Sequence, residues 1–533
     1  MDAVHKALRR RDIFVLGGRR WGDPRARLLA GPAWQATKHE TLRALQLPED
    51  PTAHLEGVRQ SLDARYRAAA GQLADNPAVR VSDDGKVHLS PLEARTVPQS
   101  LTQLRGLVSA MLPRVDLPDA LLEVHSWTGF LSEFSHVSEA SARMEKLGVS
   151  VAAILVAEAC NVGLAPVVKD GHPALTRGRL SHVDQNYVRA DTLRAANSRL
   201  IQAQSGLGLA QRWGAGLLAS VDGMRFVVPV ATVNAGANPR YFGQGRGLTW
   251  LNYLNDQVAG LGAVVVPGTV RDSLHILDGL LDLDGGQRPE MVATDTASYS
   301  DQVFALFTLL GYRFSPRLAG LPDQRFWRIG TTADYGQLNA VAGRNRINLE
   351  LITANWPDML RLAGSLTAGT VRASEILRVT QSGGTPTLLG KALAEYGRIA
   401  KTGHLLDFID IDEGYRRQIH TQLTLQESRH ALARLIFHGR RGQIRQSYRE
   451  GQEDQLGALG LVLNAVILWN TRYMDAALTE LSGRGVGVSE EDVQRLSPLV
   501  SEHINMLGRY SFTADPAGTQ LRPFRNPDED RDA

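Results

Sequence analysis

The sequence predicts a mixed α/β core that is preceded and interrupted by helical segments. Three observations support this fold class. Residues 1–205 place most apolar side chains at the i, i+3, i+4 spacing of helices; residues 206–334 contain short β-branched runs between helical patterns; and residues 335–412 return to helical spacing alone. Because strands and helices do not alternate strictly in the middle region, the order favours a mixed sheet over a doubly wound parallel one.

The composition is that of a folded protein with several domains. The chain has 533 residues, of which 43% are hydrophobic and 22% are charged, which excludes a wholly disordered or low-complexity chain. The single cysteine, Cys160, excludes a disulfide framework and a zinc site of the CxxC type. The best apolar run, residues 456–469, is too short to span a bilayer, and no secretory signal pattern is recognisable. We therefore expect a cytoplasmic protein of bacterial type.

The positive charge is carried almost entirely by arginine. Lys and Arg number 59 against 56 Asp and Glu, a formal net charge of +3, and only seven of the 59 are Lys. Arg presents a planar fork of donors that pairs with phosphate oxygens. Codon bias in a GC-rich genome is the alternative explanation, so the composition alone leaves the partner open.

The first region, residues 1–205, is predicted to be a mainly helical scaffold. Helical spacing over residues 33–71 is broken by two prolines, and the spacing returns over residues 100–205. Between these stretches, residues 79–89 alternate apolar and polar side chains around an Asp-Asp-Gly turn, which predicts a small hairpin.

The second region, residues 206–334, carries the predicted sheet. Residues 217–222 form a short apolar run that ends in Asp222, and residues 226–233 follow closely enough after Gly223 to predict a hairpin. The segments that follow are predicted, in order, as strand, short strand, helix, strand, helix and strand: 248–254, 264–266, 270–283, 291–295, 303–310 and 313–318.

The rest of the chain is predicted to be helical up to a terminal tail. Residues 335–412 form a helical insertion with a break at residues 382–386, and residues 413–512 add the last helices of the core. The tail, residues 513–533, combines three prolines with several acids, and we expect it to be disordered.

Several common catalytic motifs are absent from the sequence. It contains no G-x-S-x-G, no G-x-x-x-x-G-K-[ST], no H-E-x-x-H and no G-x-G-x-x-G. These absences argue against a serine hydrolase, a P-loop ATPase, a zinc protease and a kinase. The glycine-rich residues 243–247 do not join a strand to a helix in the way that a phosphate-binding loop requires.

Three carboxylates are the candidates for chemistry. Asp222 ends the first predicted strand and Asp295 ends the fourth, and these two strands can lie side by side in a mixed sheet. Glu427 lies on a later predicted helix, with His430 and Arg434 on the same helical face. Carboxylate oxygens suit Mg²⁺, and two such ions about 3.5–4 Å apart support in-line phosphoryl transfer. Taken alone, each Asp also fits a turn or cap residue.

The surroundings of these acids resemble a known family. Residues 220–226, 294–301 and 427–434 look like the three acidic motifs of the Tn-three family of replicative transposases. Further segments resemble the same family, and the similarity covers about residues 1–512. These segments are 7–15, 23–26, 122–124, 128–130, 157–161 and 461–471.

The resemblance implies a DDE-type transposase with an RNase H-like core, that is, a mixed five-stranded sheet with helices, and a helical insertion between the second and third acids. It implies that Asp222, Asp295 and Glu427 are catalytic and bind two Mg²⁺ ions, which Mn²⁺ can replace. The implied reaction is nicking at the transposon 3′ ends, followed by attack of the freed 3′-OH on target DNA in replicative transposition.

The same resemblance implies the partners. They are the terminal inverted repeats of the transposon, the target DNA and at least one further copy of the chain in a homodimer or higher assembly on DNA, with no membrane. The implied location is the bacterial cytoplasm, on the nucleoid when the protein is bound to DNA.

The sequence departs from the family pattern in three respects. Ser298 and Gln426 stand where the family would have Gly. Family members also usually carry several hundred further residues ahead of the segment that begins here, and those residues recognise the inverted repeats. Two other functions therefore stay open: a catalytically idle remnant that binds DNA or a full-length transposase, and a nuclease of the same fold that cleaves without joining.

Basic side chains near the acids are the candidates for DNA contacts. Arg429 and Arg434 lie nearest Glu427 on its helix, and their positive charge suits a phosphate backbone. A solvated helix face is the alternative for each Arg, and a structural hydrogen bond is the alternative for His430. The full set of predicted contacts is Arg225, Arg240, Arg246, Arg429, His430 and Arg434.

Overall fold

The computed structural model describes residues 4, 7–8, 13–15, 23, 25–138, 144–230, 232, 234–268, 272–296, 299–343, 345–380, 386–444, 451–512 and 520–525. Several sequence predictions fall outside these residues in whole or in part. They are the break at 382–386, the departure at Ser298, most of the tail at 513–533, and parts of the segments 7–15, 23–26, 226–233, 270–283 and 294–301.

The elements follow in chain order. Up to residue 213 they are α1 (Gly31–Leu45), α2 (Pro51–Gln72), β1 (Val79–Val81), β2 (Val87–Leu89), α3 (Gln99–Met111), β3 (Val115–Asp116), α4 (Leu117–Thr128), α5 (Leu147–Ala159), α6 (Arg177–Tyr187), α7 (Ala190–Ser205) and α8 (Gly208–Trp213). From there to residue 316 they are β4 (Leu218–Val227), β5 (Gly236–Ala237), α9 (Pro239–Phe242), β6 (Arg246–Asn255), β7 (Gly260–Pro267), α10 (Ile276–Leu280), β8 (Met291–Thr294), α11 (Asp301–Leu309) and β9 (Arg313–Pro316). The remainder are α12 (Leu338–Ala342), α13 (Leu349–Thr367), α14 (Ala373–Thr380), α15 (Leu388–Phe408), α16 (Gly414–Ile436), α17 (Gln452–Gly483), α18 (Glu490–Val493) and β10 (Ile504–Asn505).

The chain divides into two compact units, each assembled from segments that are distant in sequence. Unit 1 comprises Met1–Ala94, Ser273–Leu281 and Glu290–Thr421. Unit 2 comprises Arg95–Asp272, Asp282–Pro289 and Gln422–Ala533. The division falls within α16, after its second turn.

Unit 1 combines a parallel strand pair with helices. β8 and β9 are parallel and are joined by α11. α11 packs closely on α15, because a Cβ on Gly397 of α15 would lie 1.6 Å from the carbonyl oxygen of Asp301 in α11; only glycine allows this approach. The described residues of 335–412 form α12–α15, and β1 and β2 form a separate antiparallel hairpin.

Unit 2 contains an antiparallel sheet. β6 is its central strand, with β4 on one side and β7 and β5 on the other. β4 corrects a prediction: residues 217–222 and 226–233 do not form a hairpin, because Leu218–Val227 is one continuous strand. Gly223 does not turn the chain, because it pairs in register with Leu251 of β6. Asp222 therefore lies within a strand and does not end one.

The core of unit 2 surrounds the long helix α17. It packs against α4, α5 and α7 and is buried on most of its circumference, as expected for a helix that is apolar on every side. Glu123 of α4 is buried beside it and accepts hydrogen bonds from Trp469 Nε1 at 2.6 Å and from the Tyr473 hydroxyl at 2.9 Å. Cys160 lies in the same core, and burial raises the pKa of its thiol to about 12, as expected for a structural cysteine.

The predicted mixed α/β class is confirmed, since each unit combines parallel and antiparallel strand pairs and helices dominate both. Of the predicted helix at 270–283, the described residues form a 3-10 helix (Asp272–His275) followed by α10. The other strands and helices predicted between 248 and 318 correspond to β6, β7, β8, α11 and β9. In the described part of the chain, no helix combines the length and the apolar character needed to cross a membrane.

Candidate catalytic site

Asp222 lies in the middle of β4, on the face that α16 covers. Successive side chains of a strand point to opposite faces, so Asp222 shares a face with Met224 and Phe226, which are both buried. Phe226 contacts Phe437, just beyond the end of α16, with ring centroids 4.9 Å apart. The Asp222 side chain is 36% exposed, so its carboxylate lies at the edge of this packed layer.

α16 presents three polar side chains to the sheet. Gln422, Gln426 and His430 recur every four residues and therefore lie on one face of the helix. All three are buried, with exposed fractions of 1%, 1% and 4%. Glu427 follows Gln426 directly but lies on the neighbouring face, where it is exposed. The prediction that Glu427 lies on a helix is confirmed.

His430 contacts the first acid. Its Nδ1 lies 3.5 Å from Asp222 Oδ2, and its Nε2 lies 2.8 Å from Asn252 Nδ2 and 3.2 Å from Gln426 Nε2. Burial, and then the positive charges of Arg429 and Arg434, lower the pKa of His430 to about 4. The imidazole is therefore neutral near pH 7. The burial of the ring and its contacts favour the structural alternative for His430, while its predicted contact with DNA stays a prediction.

Ser220 of β4 and Asn252 of β6 connect the sheet to α16. The Ser220 hydroxyl contacts Gln426 Oε1 at 2.8 Å, and Gln422 Nε2 donates to Ser220 Oγ at 3.1 Å and to the Leu254 carbonyl at 2.9 Å. Gln426 Nε2 donates to Asn252 Oδ1 at 2.7 Å, and Asn252 lies opposite Asp222 in the β4–β6 register.

The sequence-based predictions do not include the contacts of Ser220, Gln422, Gln426 and Asn252. A Gln-Gln-His series at four-residue spacing on the helix of Glu427, together with an Asn in the mostly apolar segment 248–254, was the available signal. From the sequence, Gln426 stands out only as a departure from glycine.

Arg429 corrects a second prediction. Its side chain is 2% exposed and lies against Gly260, where a Cβ would come within 2.2 Å of Arg429 Nη2. Burial lowers the pKa of its guanidinium to about 9. Among the described residues, its Nε and Nη1 have no hydrogen-bond partner. Arg429 is therefore a core residue of unit 2 and not a surface contact for DNA, whereas Arg434 is exposed.

The other three predicted contacts lie on the surface of unit 2. Arg225, Arg240 and Arg246 are exposed, and the Arg225 guanidinium lies over the ring of Tyr241, 3.7 Å from its centroid. Because Arg225 is three residues after Asp222 in β4, it faces the opposite side of the strand. Arg225, Arg240, Tyr241 and Arg246 form what we call the arginine–tyrosine surface.

Asp295 belongs to unit 1. It directly follows the fully buried β8 and is itself exposed, so the prediction that it ends a strand is confirmed. Its Oδ1 accepts the backbone N–H of Thr296.

The donor chemistry of the three acids suits a hard divalent cation. Carboxylate oxygens are the ligands that Mg²⁺ prefers, and Asp222, Asp295 and Glu427 each keep access to solvent. Within the described ranges, no three His, Cys, Asp or Glu side chains lie close enough together to hold one ion. The assignment of these acids as metal ligands therefore stays a prediction.

The comparisons with known proteins agree with one another. A family model described as the Tn3 transposase DDE domain matches residues 119–510. The chain is 54% identical over 526 residues to the transposase for transposon Tn4556 from Streptomyces fradiae, covering 99% of this chain and 59% of that protein. It is 50% identical over 516 residues to the transposase for transposon gamma-delta from Escherichia coli (strain K12), covering 96% and 51%. It is also 33% identical over 529 residues to the transposase for transposon Tn1546 from Enterococcus faecium, covering 98% and 52%.

The chain thus spans between about half and three fifths of the length of these relatives. The family model covers well over half of the 533 residues and includes Asp222, Asp295 and Glu427. The resemblance to the Tn-three family is confirmed, and the chain belongs to the Tn3 transposase DDE domain family.

Proposed function

We propose that the chain is a DNA transposase that nicks transposon 3′ ends and transfers them into target DNA, the chemistry of replicative transposition. The observation that carries this proposal is the similarity along almost the whole chain to proteins named transposases. The chain retains a carboxylate at each of the three acidic motifs, Asp222, Asp295 and Glu427. An RNase H-like topology for the catalytic core is part of the proposal.

Asp222, Asp295 and Glu427 are the proposed metal ligands and catalytic acids. Their proposed cofactor is a pair of Mg²⁺ ions, which Mn²⁺ can replace; when bound, such ions stabilise the attacking and leaving oxygens of a phosphoryl transfer. The protein fold positions the carboxylates that would bind these ions. Asp222 contributes from a strand with His430 against its Oδ2, and Glu427 contributes from the exposed face of α16.

Basic side chains supply the proposed DNA contacts. Arg434 is exposed on α16, seven residues after Glu427 and so about 10 Å along the helix axis. The arginine–tyrosine surface provides a second set, in which a guanidinium stacked on an aromatic ring suits a DNA backbone with an unstacked base. The proposed partners are transposon ends, target DNA and a further copy of the chain, and the proposed location is the cytoplasm, on the nucleoid when bound to DNA.

A strand-transfer assay tests the proposal. The full chain is mixed with a pre-nicked transposon-end duplex that carries a free 3′-OH, a target plasmid, and Mg²⁺ or Mn²⁺. We expect joined products for the wild type and a loss of at least ~100-fold for Asp222→Ala, Asp295→Ala and Glu427→Ala, the scale of removing one electrostatic stabiliser. Glu40→Ala, at an exposed position of α1, is the matched control and should join like the wild type.

The other outcomes separate the alternative functions. Cleavage of an uncut end without any joining would indicate a nuclease. Retention of the duplex by a folded chain, with neither cleavage nor joining, would indicate a protein that binds DNA without catalysis. Joining that persists in all three alanine variants would overturn the assignment of the acids.

A further inference from the structure

We infer that Ser220, Asn252, Gln426 and His430 are positioning residues that set the orientation of Asp222 and its register against the helix of Glu427. This inference rests on the proposed function, because it concerns the geometry in which two of the proposed metal ligands are presented. All four residues are buried in unit 2, and none is a candidate ligand.

The residue spacings along β4 and α16 match closely enough for two pairs of side chains to meet. Ser220 and Asp222 are two residues apart on one face of β4, a separation of about 6.8 Å. Gln426 and His430 are four residues apart on one face of α16, a rise of about 6 Å. The two intervals nearly match, so Ser220 meets Gln426 at 2.8 Å while His430 Nδ1 meets Asp222 Oδ2 at 3.5 Å. A shift of α16 by one residue along β4 would break both contacts.

Two backbone carbonyls orient the amides. Gln422 Nε2 donates to the Leu254 carbonyl, which can only accept, so the same amide group also donates to Ser220 Oγ. The Ser220 hydroxyl lies 3.4 Å from the Leu254 carbonyl and 2.8 Å from Gln426 Oε1, so its better acceptor is the Gln426 amide oxygen. This leaves Gln426 Nε2 to donate to Asn252 Oδ1 and His430 Nε2.

The second carbonyl orients the other end of the network. Asn252 Nδ2 lies 3.3 Å from the carbonyl of Asp222, which again can only accept, and 2.8 Å from His430 Nε2. His430 Nε2 is therefore an acceptor, and its ring proton is on Nδ1, facing the Asp222 carboxylate. This arrangement of protons satisfies the shortest contacts of the network.

A polar network in this place carries a cost that an apolar interface would avoid. Buried polar groups destabilise a fold unless each finds its partner, and apolar side chains would cover β4 equally well. The network specifies the register of α16 against β4, because its donors and acceptors are paired in that register. Outer partners of a metal ligand typically change metal affinity by about 10–100-fold.

Direct metal binding tests the inference without relying on turnover. Binding of Mn²⁺ to the full chain is measured by electron paramagnetic resonance of the free ion, with and without a DNA duplex. Asp222→Asn identifies the fraction of binding that depends on this acid. We expect His430→Leu and Gln426→Leu to raise the Kd of that fraction by at least ~10-fold. We expect His430→Asn to recover most of the affinity, because an Asn amide can donate from near the position of Nδ1.

The matched control is Gln204→Leu. Gln204 is as buried as Gln426 in the same unit and donates to the Gln257 carbonyl and to Thr471 Oγ1. It should lose stability to thermal unfolding to a similar extent but bind Mn²⁺ with the affinity of the wild type. If Gln426→Leu does not fold, Ser220→Ala replaces it, with the same expectation.

The results separate the inference from the proposed function. Mn²⁺ binding that depends on Asp222 but is unchanged in the His430 and Gln426 variants would overturn the positioning role alone. An Asp222→Asn variant that binds Mn²⁺ like the wild type would overturn the metal site itself, and the inference with it. Equal losses in Gln204→Leu and Gln426→Leu would reduce the network to a general contribution to stability.

Discussion

At the scale of single residues, burial decides what each titratable side chain can do. Arg429 and His430 are neighbours in the sequence of an exposed acid, yet both are enclosed in unit 2. The same effect operates in unit 1 on His404, whose Nδ1 contacts the Tyr415 hydroxyl at 2.7 Å and whose Nε2 contacts the Pro316 carbonyl at 3.0 Å. Since a carbonyl only accepts, His404 carries its proton on Nε2 and accepts at Nδ1.

His404 predicts a pH dependence of stability. Burial lowers its pKa to about 3, below the ordinary value of about 6.5, so its contribution to stability is present above pH 6.5 and is lost as the pH falls towards 3. We expect the wild type to lose up to about 3 kcal/mol relative to His404→Gln between pH 7.5 and pH 4. Urea unfolding at four pH values measures this difference.

The control for this measurement is His39→Gln at an exposed position of α1. A gap between wild type and His404→Gln that stays constant over the whole pH range would contradict the prediction. The difference in unfolding free energy between wild type and His404→Gln is the proper measure. The wild-type value alone is not, because other groups also titrate: burial raises the pKa of the Asp284 carboxyl to about 6.

At the scale of elements, α16 shows how one helix serves three functions on three faces. Its Gln422–Gln426–His430 face meets the sheet of unit 2, its Arg429 face is enclosed by the core, and its Glu427–Arg434 face is exposed. Rotation by about 100° per residue separates these faces, so adjacent residues have different surroundings. Sequence proximity to Glu427 is therefore a poor guide to which Arg can meet a phosphate.

The two arginines of α16 predict different effects on DNA binding. Arg434→Gln should weaken binding on all DNA sequences and reduce the slope of log K against log salt by about 0.9, the loss of one phosphate contact. Arg429→Met should leave that slope unchanged. Because it removes a buried guanidinium that has no ion-pair partner among the described residues, it should be neutral or stabilising for the fold. Fluorescence anisotropy over a salt series gives both slopes; a larger slope change for Arg429→Met would reverse the assignment.

At the scale of the whole chain, segments that are hundreds of residues apart build each unit. In unit 2, Glu123 of α4 accepts from Trp469 and Tyr473 of α17 and from Arg522 Nε at 3.1 Å. A single carboxylate thus connects residues near 120, 470 and 520. The sequence around Glu123 does not predict these hydrogen bonds, because their donors lie in distant segments of the chain.

Glu123 predicts a large loss of stability in a conservative variant. Glu123→Gln keeps the volume but removes the charge that three donors share, and one amide N–H would then face those donors. We expect the free energy of unfolding to fall by about 2–3 kcal/mol, the range for hydrogen bonds to a charged group. Glu480→Gln, which loses only an exposed pair with Arg484, should change it by less than ~1 kcal/mol. Equal effects in denaturant melts would refute the prediction.

The sequence by itself determined the local features of the molecule. Apolar spacing located most helices, Asp295 at the end of β8 and Glu427 on α16 were predicted correctly, and the three acidic motifs identified the family. These features depend on neighbours within a few residues, or on motif order, and both can be read directly along the chain.

Only the tertiary structure decided what depends on distant partners. β4 continues through Gly223 because β6 pairs with it over nine residues, a long-range contact that outweighs the local preference of glycine for a turn. Arg429 and His430 are buried because other elements of unit 2 enclose their faces of α16, and the polar network on Asp222 exists because Asn252 lies opposite it. Burial and register are properties of the packed layers, and the spacing of residues in one segment does not contain them.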